Sequence, residues 1–126
     1  MFAIDSQSRC PVYEQLVAQF EKFILTGILS PGDQIPSVRS LSMDLSVNPN
    51  TIQKAYTELD HRGIIYSSPG RGCFISPAAK ERMAEYKLGD LEKVRNLAYD
   101  MRLAGIDKRL VLNAIEQAYG EEGGQR

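Results

Sequence analysis

Val12, Leu16, Phe20, Ile24 and Ile28 recur every four residues after Pro11, an apolar stripe that predicts a first helix. Gly27 and then "SPGDQIP", with its two prolines, end it. Ahead of it, Phe2, Ala3 and Ile4 read as a short strand. In "PSVRSLSMDL", Ser37 suits an N-cap, and Val38, Leu41 and Leu45 make a narrow stripe over a second, short helix. After "SVN" a third helix starts at once. Asn48 can cap it, Pro49 fits its first position, and Ile52, Ala55, Tyr56 and Leu59 form its apolar face. Gly63 is its stop, and "IIY", "SSPGRG" and "CFI" read as strand, turn and returning strand.

Pro77 marks a change of character. Leu88, Leu91, Val94, Leu97, Ala98 and Met101 follow it as a seam spaced mainly by threes and fours, interrupted at Gly89-Asp90. Gly105 stops this helical run and Asp107 can cap a further helix. Leu110, Val111, Ala114, Ile115 and Ala118 continue its apolar face, and "GEEGGQR" reads as a frayed end. The order helix, helix, helix, hairpin is that of a winged helix. The expected fold is mainly α with a small β-hairpin wing: a winged helix-turn-helix over residues 1–76 and a helical dimerisation segment over 77–126. A two-helix appendage has little core in which to hide its seam. Pairing Leu88, Leu91, Val94, Leu97, Ala98, Met101, Leu110, Ala114 and Ile115 with a second copy would bury it. The alternative is a tail folded back on its own winged helix.

The third helix has an unusual outer face. Asn50, Thr51, Gln53, Lys54 and Thr57 are amides, hydroxyls and one lysine, gathered toward the N-terminal end. That end of a second helix-turn-helix helix enters the DNA major groove, where amides bridge adenine and lysine meets guanine or phosphate. Arg39 lies in the first turn of the preceding helix, whose Ser37 end offers free N–H groups and a positive dipole end to a phosphate. Arg71, between Gly70 and Gly72 at the hairpin tip, can reach a minor groove. Taken singly, each feature also fits a solvated helix surface, a surface arginine or a tight turn; their order and spacing favour DNA.

Charge gives this reading no help. The 126 residues sum to −1, with six basic against seven acidic residues up to Ser76 and nine of each after it. Any DNA contact must rest on where a few charges stand. The two cysteines, Cys10 and Cys73, form no C-x-x-C and fit a reducing cytoplasm. No stretch approaches a membrane span and the N-terminus lacks the regions of a signal peptide. His61 is the only histidine, so no metal site is expected, and no paired carboxylates, activated nucleophile or phosphate loop suggest catalysis or a cofactor. The competing reading is a protein-interaction module, which the neutral charge leaves open.

"PGDQIPSVRSLS", "VNPNTIQKAYTEL" and "RGIIYSSPGRGCFI", in that order, resemble the winged-helix domain of GntR-type bacterial transcription regulators over residues 11–76. "VNPNTIQKAY" and the short tail resemble the YtrA-type branch, whose members end in helices that pair two subunits. The resemblance implies a cytoplasmic homodimeric regulator of double-stranded operator DNA, most simply a repressor. Arg39 would contact DNA from the second helix, and Pro49, Asn50, Thr51 and Gln53 would lie at the major-groove end of the third. Gly70 and Arg71 would occupy the wing tip. Two features depart from the family pattern: Ser67, Ser68 and Pro69 stand where basic wing residues are common, and Ser46 stands at the turn glycine. The family answers to small molecules, but no residue here identifies an effector.

Overall fold

A computed structural model describes residues 2–120. The stretch read as a frayed end lies, from residue 121 on, outside the described residues. The elements are α1 (Val12–Leu25), β1 (Gln34–Ile35), α2 (Val38–Leu45), α3 (Pro49–His61), β2 (Ile65–Ser68), β3 (Gly72–Ile75), α4 (Ala79–Leu88), α5 (Leu91–Leu103) and α6 (Lys108–Gly120). The chain divides into two compact units, Met1–Tyr86 and Lys87–Arg126.

In the first unit α1, α2 and α3 surround a core closed by a three-stranded antiparallel sheet of order β1-β3-β2. Leu16, Phe20 and Ile24 of α1, Ile52 and Leu59 of α3, and Ile64 and Ile75 of the hairpin are fully buried. Each such side chain contributes about 1.5–3 kcal/mol by leaving water. Phe20 meets Tyr56 edge-on at 5.6 Å. The stripe of α1 ends at Ile24; Ile28 lies past the helix and is exposed.

One expectation needs correction. Phe2–Ile4 is not a strand. The side-chain amide of Gln19 takes the place of a partner strand: its Oε1 accepts from the Ala3 N–H at 3.0 Å, and its Nε2 donates to the Ala3 carbonyl. Phe2 then packs on Phe20 and Phe23. The first compact unit extends as far as Tyr86. Ala79 and Met83, four residues apart on α4, are buried in the core, so the first two turns of α4 belong with the winged helix.

The interruption at Gly89-Asp90 separates α4 from α5. Asp107 accepts from the Arg109 N–H at 2.8 Å and opens α6. The Arg109 guanidinium, with a smaller share from this backbone hydrogen bond, holds the Asp107 carboxyl below its ordinary pKa. Neither α5 nor α6 has a buried residue.

The Tyr56 hydroxyl donates to the Pro36 carbonyl at 2.6 Å and ties α3 to the segment before α2. Burial, with a smaller contribution from Cys73, raises its pKa above the ordinary value for tyrosine. The folded state therefore holds this proton more tightly than the unfolded chain does. The associated stability is complete below about pH 10 and is lost as pH rises further. Tyr56→Phe should cost about 1 kcal/mol at neutral pH. It should also flatten the alkaline loss of stability, as measured by urea midpoints at neutral pH and above pH 10.

Candidate nucleic-acid interface

Three segments of the first unit carry the candidate contacts, and each is held by identifiable bonds. At the start of α2, Ser37 Oγ accepts from the Ser40 N–H at 3.0 Å and fixes the first turn, with Arg39 exposed on it. The turn into α3 is pinned by Ser42, a residue only 8% exposed. Its carbonyl accepts from the Val47 N–H at 3.1 Å, while its hydroxyl donates to the Val47 carbonyl at 2.5 Å. Ser46 fills the place where a glycine is usual by adopting φ 55°, and is the one non-glycine residue of positive φ among those described.

Asn48 Oδ1 then accepts from the Asn50 N–H at 2.8 Å, and Pro49 enters the first turn of α3. The inner face of α3 is spent on the core through Ile52, Ala55, Tyr56 and Leu59. Asn50, Gln53, Lys54 and Thr57 are exposed and Thr51 is half-buried. Three of these are already engaged. Lys54 Nζ lies 4.1 Å from the ring centroid of Tyr13 on α1. Gln53 Nε2 donates to Thr57 Oγ1 at 3.2 Å, one turn along.

The wing is a tight hairpin. Tyr66 and Phe74 stack across it with centroids 5.6 Å apart. The Arg71 N–H donates to the Ser68 carbonyl at 2.9 Å around Pro69 and Gly70, and Gly70 takes φ 76°, the sequence and geometry of a type II turn. Sequence reasoning missed the brace beneath the tip. Gln34 of β1 reaches across and donates from Nε2 to the Arg71 carbonyl at 2.9 Å. Its only sequence signal, one glutamine between Asp33 and Ile35, shows no periodicity. Arg71 is exposed at the tip.

Arg39, Lys54 and Arg71 form no ion pair among the described residues. Arg62, equally basic and close in sequence, is spent inside. It bonds Glu58 at 2.7 Å and Glu21 at 3.3 Å and lies over the Tyr86 ring at 4.0 Å. Burial works against its charge, but the Glu58 hydrogen bond and the field of Tyr86, Glu21 and Glu58 prevail and raise its pKa. His61 is exposed on the side of α3 facing the wing. Among the described residues no three His, Cys, Asp or Glu side chains could hold a metal together.

In the second unit, Val94, Leu97, Ala98, Met101, Leu110, Ala114 and Ile115 line one apolar groove, joined by Ile106 and Val111. Leu88 and Leu91 lie outside that groove and are each 64% exposed.

A capped helix pair with a polar outer face, flanked by a glycine-tipped wing, defines a winged helix-turn-helix DNA-binding protein. Residues 12–75 match the family described as bacterial regulatory proteins, gntR family, and the chain belongs to it. Along its full length it is 38% identical to the HTH-type transcriptional repressor YtrA of Bacillus subtilis (strain 168), covering 98% of that protein. The structure of YtrA from Sulfolobus acidocaldarius, a GntR-family transcription factor, superposes with a TM-score of 0.59 at 27% identity, over 94% of this chain and 97% of the other. The DNA-binding domain of AraR, in complex with operator ORR3, matches at a TM-score of 0.51 and 29% identity, over 60% of this chain and 92% of the other. The protein is thus a DNA-binding transcription regulator with the YtrA-type layout, and not an enzyme.

The wing tip has a backbone constraint. Gly72 has φ 121°, and a Cβ there would stand 2.5 Å from Gln34 Nε2. Gly72→Ala should cost about 1–3 kcal/mol in a urea melt. It should also speed amide exchange at Arg71, whose hairpin hydrogen bond depends on this geometry.

Proposed function

We propose that the protein is a cytoplasmic repressor that reads a two-fold symmetric operator as a homodimer. One observation carries the DNA half of this reading. The N-terminal end of α2, the outer face of α3 and the wing tip each present an exposed cation or amide outward, while Arg62 is turned inward. Asn50, Thr51, Gln53 and Lys54 on the Pro49 end of α3 would face base edges in the major groove. Ser37 and Arg39 would grip the backbone, and Arg71 beside Gly70 would enter the neighbouring minor groove.

The homodimer rests on α5 and α6. Leu97 is 59% exposed and Leu110 63% exposed, on helices with no buried residue at all. Continuous apolar surface of this kind marks an interface. A second copy would cover it symmetrically and set two recognition helices about 34 Å apart, or a small multiple of that. The neighbouring structures support DNA recognition by this class of fold, since the AraR domain is in complex with its operator.

The test is selection of random duplex DNA by the purified protein at moderate salt. An enriched inverted repeat supports the proposal, whereas binding that only strengthens as salt falls, with no enriched sequence, contradicts it. On the enriched site Arg39→Ala should weaken binding to all sequences alike and lower the salt slope by about 1. Gln53→Ala should relax preference at one base position of each half-site. Leu97→Asp should shift the protein to a monomer in sedimentation velocity and abolish tight binding to the full repeat. The melting of the first unit should stay unchanged.

A further inference from the structure

We infer that Thr57, a residue without an assigned role, is a positioning residue that sets which base Gln53 reads; this rests on the major-groove reading of α3 proposed above. The observation is the hydrogen bond between them: Gln53 Nε2 donates to Thr57 Oγ1 at 3.2 Å. Both side chains are exposed, so the bond is not imposed by core packing. They stand four residues apart and are therefore neighbours one turn apart on the helix surface. Both also border a cleft of about 370 Å³ between α3 and the wing, together with Ser67 of β2. Lys54, next along the chain, is drawn instead to Tyr13 on α1. The glutamine is thus held on the wing side of α3 and separated from the lysine.

The consequence for base choice follows from counting hydrogens. A side-chain amide has two N–H donors and one carbonyl acceptor. Guanine shows the major groove two acceptors, N7 and O6, whereas adenine shows an acceptor, N7, beside a donor, the N6 amine. A free glutamine can turn both Nε2 hydrogens toward guanine. With one hydrogen committed to Thr57, the outward edge holds one donor, Nε2–H, and one acceptor, Oε1. That edge satisfies adenine completely and leaves one guanine acceptor unpaired. Fixing the amide before DNA arrives also lowers the ordering cost of the contact.

Valine at this position keeps the β-branched shape and removes the oxygen; serine keeps the oxygen. The full chain is used throughout. The base position read by Gln53 is first located as the one whose preference Gln53→Ala removes. Affinities are then measured on duplexes carrying adenine or guanine there. The wild type should favour adenine by roughly tenfold, the scale of one bidentate contact. Thr57→Val should lower that ratio about fivefold or more through better binding to guanine, and Thr57→Ser should retain it. A merely structural residue would weaken binding to both duplexes equally.

An unchanged ratio in Thr57→Val, or guanine as the preferred base in the wild type, overturns the inference. Circular dichroism of each variant checks the helix. Should valine unfold the chain, Thr57→Ala carries the same expectation and the same refutation. If the wild type selects no sequence at all, the repressor reading fails and this inference fails with it. If an operator is selected but its Gln53 position ignores Thr57, only the inference fails.

Discussion

The structure depends on burying one side of α3 while leaving the other untouched. Ile52, Ala55, Tyr56 and Leu59 lie in the core against α1, and the Tyr56 hydroxyl is bonded to the Pro36 carbonyl. These contacts fix the helix in rotation about its own axis. The outer residues then point one way, and the Gln53–Thr57 bond and the Lys54–Tyr13 contact orient them further. The same Tyr56 bond holds the segment leading into α2, so the caps at Ser37 and Asn48 are placed by one framework. A DNA reader needs this rigidity, because a side chain displaced by an ångström no longer meets a base edge.

Electrostatics works here through placement. A chain of net charge −1 has no long-range pull on DNA to spare. Among the described residues Arg39 and Arg71 form no ion pair and are exposed at two separated places, while Arg62 is withdrawn into a cluster with Glu21, Glu58 and Tyr86. That cluster joins the C-terminal end of α3 to α1 and α4, and its value is structural. The same residue type is divided between two tasks by its neighbours alone. Weak overall charge also keeps non-specific binding low, which favours discrimination between sites over sheer affinity.

Most of the fold was legible because its signals are local. The Asn48-Pro49 start of α3, the four-residue stripe of α1 and the Pro69-Gly70 turn each depend on residues a few positions apart. What escaped depends on distant partners. The two-residue β1 is too short to show alternation, and its pairing with β3 spans about forty positions. Gln19 replacing a strand, Gln34 bracing Arg71 and Arg62 reaching Glu21 are likewise side chains meeting backbone or charge far along the chain. Ala79 and Met83 gave too sparse a pattern to place the first turns of α4 with the core. The candidate DNA residues were legible as a set, but the bonds that orient them, Gln53 to Thr57 and Lys54 to Tyr13, were not.

The central claim is that α3 and the wing address adjacent grooves of one operator, twice over. Methylation interference on an enriched site tests it most directly, since it probes guanine N7 in the major groove and adenine N3 in the minor groove. The account predicts two symmetric patches of major-groove interference, each flanked by minor-groove interference that disappears with Arg71→Ala. Interference confined to one groove, or a single patch without a symmetric partner, would contradict it.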